Sequence, residues 1–224
     1  MKPDVIVCWP RNCDYPLWRA FLRAERSRFR EVYVVFTELG IADYRDFVRS
    51  QVDATCLDSP ERDGRDWRDV AVNAALDRSS AERVWFTEQD FLIADPERFW
   101  PQVRGPLSGI DVGDLRPLHP ACLFADRDLI ERTGRYFGTP PVDHFYTFGT
   151  ELVALAKPRL ILSGWRHYQG TSDNHTILER GGEAGIFRRD RYRDYLADCL
   201  RAGVPLHPDW AARARVEIDR SARL

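Results

Sequence analysis

A chain of 224 residues with 44% hydrophobic content carries enough apolar side chain for one sizeable core, and its formal net charge of -2 supplies no field to recruit nucleic acid or an acidic membrane. No apolar run reaches the length of a membrane span, and Met1-Lys2-Pro3-Asp4 leads into a strand without a signal-peptide pattern, so a cytoplasmic location is expected. The five cysteines (Cys8, Cys13, Cys56, Cys122, Cys199) are odd in number and scattered, which argues against a zinc site or a disulfide framework.

Val5-Ile6-Val7-Cys8-Trp9 is a continuous apolar run of the kind found in buried parallel strands. The loop Pro10 to Asp14 follows, then a helix with Asp14 as cap, Pro16 in its first turn and Trp18, Phe21 and Leu22 facing inward. Val32 to Phe36 forms the second strand, ending at Thr37-Glu38 and completing a βαβ unit. Asp43 is placed to cap a short helix with Tyr44, Phe47 and Val48 inside. Ala54 to Leu57 is a third strand ending at Asp58, and Ser59 to Gly64 reads as a loop. A helix over 66–78 presents Trp67, Val70, Ala71, Ala74 and Ala75 as one face, with Asn73 at its edge.

The fourth strand, Val84-Trp85-Phe86-Thr87, runs into Glu88-Gln89-Asp90. Side chains two apart on a strand share a side, so the two acids can converge. Buried carboxylates are costly unless something positive joins them. Two readings stay open on this tripeptide: a divalent cation on a diphosphate, or a turn in which Asp90 satisfies backbone donors.

Beyond the acids, Asp95 starts a short helix with Phe99 and Trp100 inside, and 108–112 and 121–125 read as short strands. A helix over 126–133 stops at Gly134, and another begins near Asp143, with Phe145, Phe148, Leu152 and Leu155 at helical spacing. Arg159 to Ser163 is a strand, and Gly164 to His175 is a loop dense in functional groups. The tail returns to helix, with Tyr192, Tyr195, Leu196, Cys199 and Leu200 on one face and Gly203 at its end. A last helix is expected over 209–222. Strands alternating with helices predict a largely parallel sheet covered on both faces, with ligands beyond the carboxyl ends of the strands. The first loop holds neither GxGxxG nor GxxxxGK[ST], which disfavours a dinucleotide fold or a P-loop.

Over roughly residues 4–175 this order resembles the A-type (GT-A) fold of nucleotide-sugar glycosyltransferases, especially the large inverting single-domain family. The segment Asp66 to Leu76, with Ala71-Val72-Asn73, followed by Val84 to Asp90, is similar to that family's alanine–x–asparagine helix and its Asp-x-Asp-type strand end. The resemblance implies a three-layer α/β/α domain with a mixed, mostly parallel sheet, Rossmann-like in its N-terminal half. It divides one domain into a nucleotide-binding half (about 1–93), an acceptor half (about 94–175) and C-terminal helices (176–224).

By the same resemblance Asp90 binds a metal that bridges the donor's diphosphate, and Glu88 faces the ribose or sugar. Trp9 and Arg11 lie beside the nucleobase, and Glu38 or Asp58 holds base or ribose. The family often has an arginine where this chain has Val72, and Arg68 is a substitute one turn earlier. Asp143 matches the acid that activates the acceptor, with Glu151 as fallback; an inverting displacement needs one such base. His167 and His175 fall where related enzymes place a third metal ligand or a diphosphate contact. A histidine ligand favours manganese over magnesium. His119 and His144 read as turn or rim residues, and His207 as a surface residue.

The implied activity is metal-dependent transfer from a nucleoside-diphosphate sugar, UDP by family frequency, to an unidentified acceptor. The alternatives are a nucleotidyltransferase, which calls for a glycine-rich first loop, and a non-catalytic nucleotide-binding domain of the same fold.

Overall fold

A computed structural model describes residues 2–8, 15–37, 43–59, 61–62, 65–66, 68–111, 118–133, 148–170, 177–182, 185–189 and 192–221. The chain opens with β1 (Asp4–Cys8), α1 (Pro16–Glu25), β2 (Val32–Thr37), α2 (Tyr44–Gln51) and β3 (Thr55–Ser59). A small hairpin, β4 (Glu61–Arg62) and β5 (Arg65–Asp66), occupies part of the expected loop over 59–64. Then come α3 (Arg68–Arg78), β6 (Arg83–Glu88), β7 (Phe91–Ile93), α4 (Pro96–Phe99), β8 (Leu107–Gly109), β9 (Cys122–Asp126) and α5 (Arg127–Arg132). The rest comprises α6 (Phe148–Leu155), β10 (Arg159–Leu160), β11 (Trp165–Gly170), β12 (Ile177–Gly181), β13 (Gly185–Arg189), α7 (Tyr192–Arg201) and α8 (Pro208–Ser221).

Seven strands form the main sheet in the order β10-β8-β9-β6-β1-β2-β3. The β6-β1-β2-β3 block is parallel, β9 runs antiparallel to both β6 and β8, and β10 is parallel to β8. Pleat alternation sends Val5, Val7, Val34, Trp85 and Phe124 to one face and Ile6, Cys8, Val35, Phe86 and Leu123 to the other. The first face is covered by α1, α2, α7 and α8, through Trp18, Phe21, Tyr44, Tyr195, Leu196 and Trp210. The second is covered by α3, α5 and α6, through Val72, Ala75, Leu76, Ile130 and Leu152. This is the expected three-layer α/β/α arrangement with a mixed, mostly parallel sheet. Trp85 stacks on Phe124 across the β6–β9 pair (5.2 Å between ring centroids, planes 5° apart), which anchors the antiparallel return strand.

A second sheet, β13-β12-β11-β7, is antiparallel. It corrects two expectations. Trp165–Gly170, within the expected loop, is a strand, and Ile177–Gly181 and Gly185–Arg189 are strands that precede the C-terminal helices. Gly164 makes the join possible: it has φ +83, and a Cβ there would meet the Asp95 carbonyl oxygen at 2.7 Å. Its own carbonyl accepts from the backbone N–H groups of Ala94 and Asp95, tying the two sheets' connections together.

Three local expectations change. The buried face of α3 is Ala71, Val72, Ala75 and Leu76, while Val70 is exposed, so the helix is rotated relative to the predicted stripe. Alanine-rich spacing underdetermined that rotation, since two overlapping stripes fit it. Asp43 makes no capping hydrogen bond to α2; its Oδ1 instead lies 3.0 Å from Nε2 of His207. His207 is therefore buried against Tyr44, Phe47 and Trp210 rather than on the surface. Asp14 and the helix start expected at Asp143 lie outside the described residues. Cys8, Cys56, Cys122 and Cys199 are buried and outside any disulfide among the described residues. Among the described residues no helix is long and apolar enough to cross a membrane.

Candidate active site

In the main sheet β1 sits between β2 and β6. The chain steps outward from it to β2 and β3 on one side and crosses to β6 on the other. That reversal is the switch point at which open α/β sheets bind ligands, beyond the strands' carboxyl ends. Here the two ends meet in register, with Cys8 opposite Glu88.

The acids sit at this point, though by a different route from the one the sequence suggested. Strand β6 ends at Glu88, and Gln89 and Asp90 form a turn into β7. The turn, rather than pleat alternation, brings Asp90 round toward Glu88. Both residues are anchored by their backbones. Glu88 N–H donates to the Ala121 carbonyl (3.3 Å), which also accepts from Thr87 Oγ1 (2.8 Å). The Asp90 carbonyl accepts from Tyr168 N–H (2.7 Å), and so clamps the turn against β11.

His167 lies on β11 opposite Phe91. Its ring is buried, with Nε2 3.3 Å from Asp90 Oδ1 and 3.9 Å from Glu88 Oε2. Asp90 Oδ1 is inaccessible to solvent and accepts no hydrogen bond among the described residues. An acceptor left so costs roughly 1–3 kcal/mol, more when charged. A fourth side chain closes the group: ring nitrogens of His119 and His167 and a carboxylate oxygen of Glu88 lie within 4.8 Å of one another. Glu88, Asp90 and His167 put a buried, unbonded carboxylate oxygen beside an imidazole that also neighbours a second acid, a mixed oxygen and nitrogen donor set of a kind that suits a divalent cation.

The structure brings together Glu88, Asp90 and His167 of the expected site residues. Asn73 is half-buried on α3, and Arg68 opens that helix. Asp58 lies on β3, the outermost strand of the parallel block, where it is half-exposed and ion-paired with Arg45 of α2. Glu151 is half-buried in the first turn of α6. Trp9, Arg11, Glu38, Asp143 and His175 lie outside the described residues. Sequence reasoning missed His119 by reading it as a rim residue. No local signal marks it: only the antiparallel pairing of β9 with β6 puts the turn just before β9 where β6 ends. An apolar-lined cavity of about 390 Å³ between α1 and Val204-Pro205 includes none of these residues.

No protein-family profile matches the chain, and no curated protein matches it. Solved structures do. Glucosyl-3-phosphoglycerate synthase from Mycobacterium tuberculosis, in complex with phosphoglyceric acid, matches with a TM-score of 0.52 at 15% identity, over 77% of this chain and 74% of its own. S. aureus TarS 1-349 matches with a TM-score of 0.51 at 18% identity, over 71% of this chain and 57% of its own. The mannosyltransferase PcManGT from Pyrobaculum calidifontis, in complex with GDP-Man and Mn2+, matches with a TM-score of 0.48 at 20% identity, over 72% and 55%. The chain thus spans little more than half the length of the last two. At such identities the likeness to the first two is one of fold, and it agrees with the sheet order and the layers described above. The chain has the A-type fold of the nucleotide-sugar glycosyltransferases.

Proposed function

We propose that the chain is a glycosyltransferase that moves a sugar from a nucleoside-diphosphate sugar, with UDP as the preferred nucleotide, to an acceptor hydroxyl. The observation that carries this reading is the buried, unbonded Asp90 Oδ1 with His167 Nε2 at 3.3 Å, at the sheet's switch point. Asp90 and His167 would hold a divalent cation, with Glu88 beside them toward the ribose or sugar. Imidazole in the set favours manganese. When bound, such an ion supplies positive charge against the leaving diphosphate. The chain's own residues do the rest. The Tyr168 N–H clamp on the Asp90 carbonyl and the Ala121 anchor on Glu88 set both carboxylates before ligand arrives.

The remaining roles belong to the same proposal. Residues 1–93 form the nucleotide-binding half, with Trp9, Arg11, Glu38, Asp58, Arg68 and Asn73 as base, ribose or phosphate contacts. Residues 94–175 form the acceptor half. Asp143, with Glu151 next along, takes the acceptor's proton, so that displacement inverts the anomeric carbon. His175 is a further ligand or a diphosphate contact. Strands β12 and β13 extend the second sheet, and α7 and α8 complete the domain.

A thermal-shift panel tests this. UDP or GDP is expected to stabilise the protein in the presence of Mn2+ and to do little without it. Stabilisation by nucleoside triphosphates alone would instead indicate a nucleotidyltransferase. A flat response across the panel would indicate a domain that keeps the fold without this activity.

A further inference from the structure

The cation reading leaves His119 unexplained, although it is buried against the same group. Its backbone is fixed on both sides. His119 N–H donates to the Ile110 carbonyl (2.9 Å), and the His119 carbonyl accepts from Cys122 N–H (3.2 Å). The ring is fixed as well, since Nδ1 accepts from Ala121 N–H at 3.1 Å. A backbone N–H only donates, so Nδ1 presents a lone pair, and in the neutral ring the proton sits on Nε2. Flipping the ring would put carbon in front of that N–H, so the same contact sets the orientation.

This tautomer decides what His119 can do beside Glu88 and His167. Nδ1 is occupied, and a protonated Nε2 has no lone pair for a metal. Its ring centroid is 4.9 Å from that of His167, too close for two imidazolium charges to sit together cheaply. A carboxylate, by contrast, only accepts, and Glu88 supplies one within 4.8 Å. We propose that His119 is a positioning residue: a neutral imidazole whose Nε2–H donates to the Glu88 carboxylate and holds it toward the ligand space without being a ligand itself. It steadies the acid without adding positive charge where a cation is wanted. The role toward a cation rests on the function proposed above; the proposed donation to Glu88 rests on the Nδ1 contact and on the nearness of the two side chains.

Two measurements on the full chain decide it. In protein labelled with 15N-histidine, long-range proton–nitrogen correlation is expected to show His119 protonated at Nε2 and bare at Nδ1, and Glu88→Gln is expected to move that proton upfield. A proton on Nδ1, or no response to Glu88→Gln, would overturn the proposal. In Mn2+ titrations His119→Ala is expected to weaken binding about tenfold, while His119→Gln, which keeps a donor at similar reach, stays within about threefold of the wild type. Equal losses in the two variants, with disappearance of a 15N–Mn2+ hyperfine coupling, would make His119 a ligand and overturn the proposal. A wild-type chain that takes up no Mn2+ would defeat the cation reading, and the tautomer and the Glu88→Gln shift would then decide the hydrogen bond on their own.

Discussion

The same two strands carry a buried carboxylate cluster at each end, and the two ends are built in opposite ways. At the start of β1, Asp4 is fully buried, yet both its oxygens are occupied. Arg30 Nε and Nη2 donate to Oδ1 and Oδ2 (2.9 and 2.8 Å), Ser79 Oγ donates to Oδ2 (2.6 Å), and Glu31 N–H donates to Oδ1 (3.1 Å). Arg127 closes the cluster from behind through the Ser79 carbonyl, Ser79 Oγ and the Ala81 carbonyl. At the far end of β6, Asp90 Oδ1 is as inaccessible and accepts no hydrogen bond among the described residues, facing an imidazole at 3.3 Å beside a second acid. A buried acid with its lone pairs filled fastens the fold. A buried acid with an open lone pair marks where the fold expects something else to bind.

The largest effect that would break this contrast is at the closed end. Asp4→Ala removes the acceptor for the Ser79 hydroxyl proton and the Glu31 N–H and unpairs Arg30, and is expected to destabilise the protein by about 3 kcal/mol in urea denaturation. Arg30 is partly exposed, which holds the figure below that of a fully buried pair. At the open end the sign reverses. Asp90→Asn removes one of two neighbouring carboxylates and is expected to leave metal-free stability unchanged or raised by up to about 1 kcal/mol. A loss as large as that of Asp4→Ala would mean that the open end is also a fastener.

The smallest effect is in the pH dependence. Burial pushes the Asp4 carboxyl up, but the hydrogen bonds from Arg30 and Ser79 outweigh it and hold the group below its ordinary value. Its stabilisation is therefore complete above the unfolded value of about 3.9 and is lost as pH falls through the depressed folded value. The stability gap between the wild type and Asp4→Asn is expected to narrow on titration from pH 7 to pH 2. A gap that stays constant would show that the charge of Asp4 is not what fastens that end.

The parallel half of the fold was legible because its strands are doubly buried and so read as unbroken apolar runs: Val5 to Cys8, Val32 to Phe36 and Val84 to Thr87 are buried throughout. The second sheet was not legible. In β11 Trp165 and His167 are buried and Arg166 is exposed, but Tyr168 is buried too, which breaks the alternation, and the buried members include a histidine. Polarity that reads as a loop was a strand whose inner face is the candidate site. The acids were found and a turn was one of two open readings, but nothing in composition chose it, because a strand ending two residues early leaves no mark there. His119 was passed over because its placement depends on the antiparallel direction of β9. Direction within a sheet is a property of pairing, not of local sequence.

The most direct test of the open end as a diphosphate–metal site is calorimetric titration of UDP in Mn2+ buffer into the wild type and Asp90→Ala. Mn2+-dependent binding by the wild type is expected, and its loss in a variant that still unfolds cooperatively at the wild-type midpoint or above. Equal UDP binding by the two proteins, with or without Mn2+, would contradict it.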